Sequence, residues 1–565
     1  MSSVLSAIRR AALGEQTASA GSTPSPNAII LPLALAQFLC SYDTSSMNVA
    51  ISDIADDLGT TVTGVQTAIS LFTLTMAALM VTGSKLTDIF GRKPVFIVGV
   101  WLYALGAGLT AISPGIGVMI FGWSLLEGVG TALLIPPVYI LLTVSFDDVK
   151  GRARAFGIIS AMAGLGAAAG PLIGGTITTL ISWRASFAME VVVMMFIWFL
   201  ARKRIQEVPV TGPRPGLDVT GAVLSAAGLA TIVVGILLAN TYGFFTARKD
   251  FEVGDVVIVS QGGVSPVWIF VGIGALLLAW FGVHIVRRER SGKEPLIAPR
   301  LFKNRTSNRG LFTQTAQWFM IVGGMFIVSL FLQVTKEYSA IKTGIIITPA
   351  TIGILLSSLA APRLARMFAQ RRLIRGGFVA ALAGIGLLLL LVDAESNPLA
   401  LAPGLFILGI GIGIMLTASV NVVQSSVPDK DQGEISGISR SASNLGSSLG
   451  VALAGAVLVS GIIAGISSRT ADSAVLSEPQ KQQIEAALEK QVTALSDTQV
   501  EQALEGQPQE IVDEVTRINA EARDRAMGYA LIAVAVAGML GLVAAMFLPG
   551  ESAGAAKARQ SAASL

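Results

Sequence analysis

Charge is scarce in this sequence: Asp, Glu, Lys and Arg make up 13% of its 565 residues, where soluble domains carry nearer a quarter. With 53% apolar residues and a mean hydropathy of +0.69, that shortage excludes a chain of several soluble domains and leaves a surface that must face lipid. There is one cysteine, Cys40, in an apolar run, so no intramolecular disulfide is possible. There is one histidine, His284, beside Arg287 and Arg288, and it reads as an interfacial residue. No HExxH or Cys/His cluster occurs, so no metal site is expected. No G-x-x-x-x-G-K-[ST] run occurs either, which excludes a nucleotide motor. The formal charge of +4 is small and unevenly placed, which points to membrane topology and not to nucleic acid.

What the chain does have is long apolar runs and 60 glycines, the composition of helix bundles whose backbones approach closely in a membrane. A helix needs roughly 20 apolar residues to cross the hydrocarbon core. Runs of that kind fall near 29–51, 63–84, 94–112, 117–141, 155–181, 186–201, 217–240, 266–286, 310–333, 343–362, 373–392, 399–426, 434–464 and 526–548, giving fourteen expected spans. The first run is followed at once by a second, so it reads as a span and not as a cleaved signal. Arg92–Lys93, Arg152 and Arg154, Arg202–Arg204, Arg287–Arg290 and Arg371–Arg375 fall in alternate loops, which places those loops and both termini in the cytoplasm. The expected setting is therefore a bacterial-type cytoplasmic (inner) membrane.

The expected organisation is a cytoplasmic tail (1–28), a first six-helix bundle (29–201), and a linker (202–308) with two inserted spans and an external hairpin near 241–265. A second six-helix bundle (309–548) and a cytoplasmic tail (549–565) complete it. Within the second bundle lies a long external segment near 465–525. Ile484, Leu488, Val492 and Leu495, then Ile511, Val515 and Ile518, recur there at helical spacing. Amphipathic helices are expected to cap the external mouth and could meet an envelope partner.

Between the second and third spans the chain reads Gly83-Ser-Lys-Leu-Thr-Asp88-Ile-Phe-Gly91-Arg92-Lys93. This resembles the G-x-L-a-D-r-x-G-r-k signature of the major facilitator superfamily. Gly164-x5-Gly170-Pro171-Leu-Ile-Gly174-Gly175 in the fifth span looks like the antiporter motif of that family. Asp43-Thr44-x3-Asn48-Val49-Ala50, Trp183-Arg184 and Glu294-Pro295-Leu296-Ile297 look like its fourteen-span drug:proton antiporters, the EmrB/QacA type. The resemblance covers roughly 30–550. It implies an all-α major facilitator fold of two related six-helix bundles with two inserted helices, and a site between the halves near the midplane. A weak second copy of the loop motif, 364–372, lacks the acid and the glycine. One departure stands out: Trp123-Ser124-Leu-Leu-Glu127-Gly128-Val-Gly130 has Ser124 and Glu127 where the family commonly has Arg and Gln.

A charge in the bilayer costs several kcal/mol, so intramembrane acids are functional candidates by default. Asp43, Glu127 and Glu190 lie within spans, and no base stands out at the same depth. Asp43 and Glu127 are expected at similar depth on the two spans that line the first half's cavity. Two adjoining carboxylates without a cation cannot both ionise cheaply, so one can take up and release a proton. Glu190 is shallower, with Arg184 as its alternative partner. Asp88 and Arg92, with Gly83 and Gly91, are expected to latch the cytoplasmic side. Gly170, Pro171, Gly174 and Gly175 give a helix that bends and repacks. Asn48, Trp123, Gln314, Gln317, Trp318, Asn421 and Gln424 are the expected cavity residues. Together these point to a secondary transporter and not an enzyme. It would need no cofactor beyond a proton gradient and would export amphipathic, cationic or neutral compounds by alternating access. The competing reading is an exporter of lipids or envelope precursors.

Overall fold

The computed structural model describes residues 26–145, 149–206, 216–253, 256–391, 398–427, 432–490, 500–502, 504 and 506–548. Most of the N-terminal tail, the C-terminal tail, Val492 and Leu495 lie outside the described residues. Among the described residues, thirteen helices are long and apolar enough to cross a membrane. The remaining segment of the expected fourteen is Ile30–Ser46, which continues through the 3-10 turn Met47–Val49 into Ile51–Asp57. We number this segment span 1.

Spans 2 to 6 are Val62–Phe90, Arg92–Ala111, 116–145, 149–180 and Trp183–Arg204. Spans 7 and 8 are Val219–Tyr242 and Pro266–Arg290. Spans 9 to 14 are 305–335, Ala340–Met367, Gln370–Leu391, Ala402–Ser425, Gln432–Asp472 and Gln509–Met546. Three spans contain a π-helical turn: Ile120–Glu127 in span 4, Gly170–Gly174 in span 5 and Phe331–Thr335 in span 9. Such turns concentrate at functional sites.

The packing is built twice. In the first half span 1 packs on span 5, span 3 on spans 4 and 6, and span 2 on span 4. In the second half span 9 packs on span 13, span 11 on spans 12 and 14, and span 10 on span 12. The glycines repeat with it: Gly99 meets Gly130 and Gly106 meets Gly122, while Gly377 meets Gly411 and Gly384 meets Gly404. At each of these pairs a Cβ would strike a neighbouring backbone, so helices 3 and 4, and again 11 and 12, approach as closely as small residues permit.

Two seams join the halves, and the repeat relates them: span 2 packs against span 13, and span 5 against span 10. The first is an antiparallel zipper. Gln66 Nε2 donates to the Val451 carbonyl (3.1 Å) and Ser448 Oγ to the Ser70 carbonyl (2.8 Å). Ser441 donates to the Ala77 carbonyl, and Lys85 pairs with Glu434 at 2.8 Å. On the second seam Gly175 lies against Ala340, Gly344 against Pro171, and Thr179 Oγ1 accepts from Ile341 N at 3.0 Å. Large apolar side chains such as Leu105, Val192, Leu276, Leu359, Leu390 and Val543 point outward, as a lipid-facing surface requires.

One end of the bundle carries Arg92, Lys93, Arg202–Arg204, Arg287–Arg290 and Arg371–Arg375, and we call it the basic end. There span 2 ends at Gly91, whose φ of +97° suits glycine alone, and span 3 starts immediately. Spans 7 and 8 pack on each other and lean on spans 2 and 13, with only 28% and 17% of their most apolar stretches buried. They are therefore peripheral.

The peripheral pair is fastened by Asp218, the N-cap of span 7. Its carboxylate accepts from Gly221 N (3.0 Å) and Leu296 N (3.1 Å), and pairs with His284 Nε2 (2.9 Å). Burial opposes its ionisation, but His284, the two N–H groups and the Arg288 guanidinium outweigh that and hold the carboxyl below the usual carboxylate range. A depressed Asp contributes stability above its unfolded value and loses it as pH falls through the folded one. Asp218→Ala is expected to cost about 1–3 kcal/mol at neutral pH. The difference from wild type should close below about pH 4. Thermal unfolding in detergent across pH measures both.

At the far end, Phe251–Val253 (β1) and Val256–Val259 (β2) pair antiparallel between spans 7 and 8. The segment 465–525 differs from separate capping helices. Spans 13 and 14 simply run on past the apolar stretch and stay paired, through Arg469–Glu521 (3.0 Å) and Ser473 to Glu514 (2.6 Å). Gly461 and Gly465 seat Ala526 and Ala522. Ile518 of the expected stripe is buried on this extension, and among the described residues a separate helix, Glu478–Lys490, follows span 13.

Candidate functional site: a three-carboxylate cluster and a cleft between the halves

Asp43, Glu127 and Glu190 come together inside the first bundle, with one carboxylate oxygen of each within 4.8 Å of the others. All three are buried. Sequence reasoning took all three as proton-coupling candidates, with Glu190 shallower and Arg184 as its alternative partner. Arg184 is not that partner. Arg184 instead pairs with Asp57 and donates to the Ser113 carbonyl (2.7 Å), while Trp183 Nε1 donates to Asp57 at 2.9 Å. The N-cap Ser182 starts span 6 here, and Glu190 lies two turns further in, so it turns towards spans 3 and 4.

Each acid has a distinct setting. Trp123 Nε1 donates to both oxygens of Asp43, at 3.1 and 3.2 Å. The indole is stacked on Phe72 (centroids 4.9 Å) and meets Phe187 edge-on (6.1 Å). Tyr103 Oη donates to Glu190 at 2.9 Å. Neither oxygen of Glu127 has a hydrogen-bond partner. Trp123 and Glu127 both belong to the π-helical turn of span 4, which turns them into the bundle. Among the described residues no Lys or Arg forms an ion pair with any of the three acids. Three negative charges at this spacing in low dielectric are not sustainable, so the cluster must share protons or hold a cation.

Trp123, expected in the substrate cavity, is thus a buried partner of Asp43. Between the halves lies a narrow, closed-down cleft lined by Met80, Ile135, Pro136, Tyr139, Val420, Gln424, Ser436, Gly437, Ser439 and Arg440. Gln424 lines it. Gln314 and Gln317 are buried beside it, accepting from Ser439 and Ser419 at 2.8 Å each. Asn421 is exposed, and Trp318 is half-buried against the main core. Asn48 lies on the seam beyond the far end of span 1, where its carbonyl accepts from Ser329 and from Gln333 Nε2 (2.8 Å).

Arg440 is a base within a span that the sequence reading, which looked only for a base at the depth of the acids, passed over. It sits eight residues into span 13, roughly 12 Å from that helix's basic end. Its guanidinium lies 4.7 Å over the Tyr139 ring and donates to the Tyr139 hydroxyl. Tyr139 Oη donates to Gln37 (3.1 Å), and Gln37 Nε2 to Ser41 (3.2 Å), two residues before Asp43. A polar thread therefore runs from the cleft along span 1 to the carboxylates. Arg440 is discoverable in the sequence by counting inward from the start of span 13.

The fifth-span glycines touch the same helix. Gly166 lies against Phe38, Gly170 against Ser45 and Gly174 against Ser46, so the Gly-Pro run packs on the turn that follows Asp43. Its next residue, Gly175, reaches the other half. At the basic end the loop motif acts through an unexpected member. Lys85, and not Asp88 or Arg92, makes the ion pair across the seam, while Arg92 Nε is buried without a hydrogen bond. Gly83 packs on the Ala132 carbonyl of span 4. Glu434 also accepts from Ala298 N (3.2 Å), tying in the strap that follows span 8.

The chain matches the Major Facilitator Superfamily over residues 33–254 and again over 219–451. It is 30% identical to the puromycin resistance protein pur8 of Streptomyces alboniger, over 74% of this chain and 79% of that one. It is 30% identical to the cephamycin export protein CmcT of Amycolatopsis lactamdurans (74% and 82%). With the multidrug efflux pump LfrA of Mycolicibacterium smegmatis the identity is 27% (78% and 83%). Two matches in tandem agree with packing that is built twice, and this multi-pass membrane protein belongs to the Major Facilitator Superfamily.

Proposed function

We propose that the protein is an efflux transporter for small amphipathic compounds, of the drug and antibiotic kind named for its relatives, driven by inward proton flow through alternating access. The observation that carries the reading is the cluster of three buried carboxylates without a cationic partner among the described residues. Lipid-embedded acids have no scaffolding use that an amide would not serve more cheaply, and they can load and release protons as the environment opens to either side. The basic end is the cytoplasmic one in this reading, with both termini inside.

The cycle follows from the seams. Both ends of the inter-half void are closed by contacts: Lys85–Glu434 at the basic end, and Asn48 with Ser329 and Gln333 at the other. This is an occluded arrangement, from which opening either end exposes the cleft to one side alone. Protonation in the first bundle is transmitted by span 1, which carries Asp43, the Gln37–Ser41 thread and the surface on which the Gly-Pro run moves. The cleft is closed down in this state, so cargo enters it only as one end opens. Proteoliposomes with an internal pH dye and an imposed proton gradient test the function. With the lumen made acidic, small amphipathic drugs added outside should enter in step with proton loss from the lumen. Drug movement without proton flux, or flux that follows a sodium gradient instead, would defeat the proton-coupled reading.

A further inference from the structure

We propose that the cleft selects neutral and acidic amphipaths, with Arg440 receiving a carboxylate, phenolate or comparable acceptor, and that it disfavours cations. The inference rests on the efflux reading and deepens it by naming the substrate class. The acids do not face the cargo. Asp43, Glu127 and Glu190 are enclosed by spans 1, 3, 4 and 6, and none of them lines the cleft. The described lining holds one guanidinium, the Tyr139 phenol, the Gln424 amide and the hydroxyls of Ser436 and Ser439, and no carboxylate. Met80, Ile135, Pro136 and Val420 supply the apolar remainder.

An electrostatic preference follows from that lining. A cation entering this space would meet Arg440 in a low-dielectric setting with no carboxylate in the described lining to offset it, and like charges there repel strongly. An acidic group would accept from a guanidinium that has five N–H donors in a planar fork, one of which is engaged by Tyr139. The protein holds Arg440 in position from two sides. Tyr139 stacks beneath it, and Ser439, the residue before it, is anchored to Gln314. A ligand that draws the guanidinium away also unloads Tyr139 and hence the Gln37–Ser41 thread. Occupancy of the cleft is then felt next to Asp43.

Two xanthene dyes of similar shape and opposite charge, fluorescein and rhodamine 123, provide the test. Fluorescence anisotropy with the purified full-length protein in detergent gives the affinity of each, and loaded proteoliposomes give export. Fluorescein is expected to bind at least tenfold tighter than rhodamine 123. Arg440→Gln should remove that preference while leaving rhodamine 123 binding equal or improved, and Arg440→Lys should restore part of it. A wild type that binds rhodamine 123 as well or better overturns the proposal, as does a preference that survives Arg440→Gln. Equal weakening of both dyes in Arg440→Gln, with no rescue by Lys, would mean that Arg440 only supports the fold, and it also overturns the proposal. Selective binding of fluorescein without export of either dye would instead count against the efflux reading and leave the assigned charge preference standing.

Discussion

Asp43→Asn and Glu127→Gln are each expected to abolish drug-dependent proton flux, to about one-hundredth of wild type or less, without preventing membrane insertion. The size follows from the chemistry. A neutral amide cannot bind and release a proton, so a coupling group made into an amide leaves no alternative path unless a neighbour takes over. The two substitutions should nevertheless differ. Asp43 accepts both of its hydrogen bonds from Trp123, and Asn can still accept from the indole, so that variant should fold with close to normal stability. Neither oxygen of Glu127 has a geometric hydrogen-bond partner, and a Gln there can donate to Glu190 without a shared proton, so Glu127→Gln should be at least as stable as wild type in detergent while inactive. Thermal unfolding and the pH-dye assay on the same preparations check both. Full activity in the two variants would sink the coupling mechanism. Glu190→Gln is the internal comparison, since the Tyr103 hydroxyl can donate to an amide as it does to the acid.

Reversing the charge of Lys85 should open the basic end. Its side chain and that of Glu434 are 11% and 19% exposed, so Lys85→Glu sets two acids side by side with little water to separate them. The loss for the closed state should be about 3 kcal/mol, which is roughly a hundredfold change in population. The native cysteine is single, so Cys40→Ser with Ser436→Cys creates a reporter on the cleft wall. A membrane-impermeant maleimide applied from the basic side should label it at least tenfold faster in Lys85→Glu. Adding Glu434→Lys should recover most of the protection, but not all, because Glu434 also accepts from Ala298 N. An unchanged labelling rate in Lys85→Glu would mean that the ion pair is not what keeps this end shut.

The sequence revealed much of the architecture, because lipid imposes a simple demand: apolar runs of fixed length, with basic residues gathered in alternate loops. Fourteen apolar segments, the central pair, the hairpin and the loop motif could all be read in this way. The Asp43–Glu127 meeting was readable too, since counting residues gives both the same depth and the family resemblance puts spans 1 and 4 on one cavity. Other features were not. Glu190 was misjudged because depth says nothing about azimuth, and the direction of span 6 is set by how Ser182 and Trp183 start it. Trp123 was assigned to the cavity because an aromatic near the midplane suits cargo, whereas the π-helical turn aims it at Asp43 instead. The seam partners Lys85 and Glu434 are 349 residues apart, and no local pattern links them. The extended helices after residue 465 escaped notice because an amphipathic stripe looks the same whether it continues a span or forms a separate helix.

The three π-helical turns have a mechanical consequence. Each holds one residue more than an α-helical turn would, and each sits where motion is needed: Ile120–Glu127 at the carboxylates, Gly170–Gly174 at the inter-half seam, and Phe331–Thr335 opposite Asn48. An extra residue of this kind can migrate along its helix as a dislocation migrates through a crystal, one hydrogen bond at a time. Residues it passes rotate by about 100° about the helix axis, because 3.6 residues make a turn, while both ends of the helix stay fixed. Glu127 can therefore swing from one facing to another without its span tilting or its loops moving. In the proposed cycle, such re-aiming of single side chains needs no movement of one half against the other.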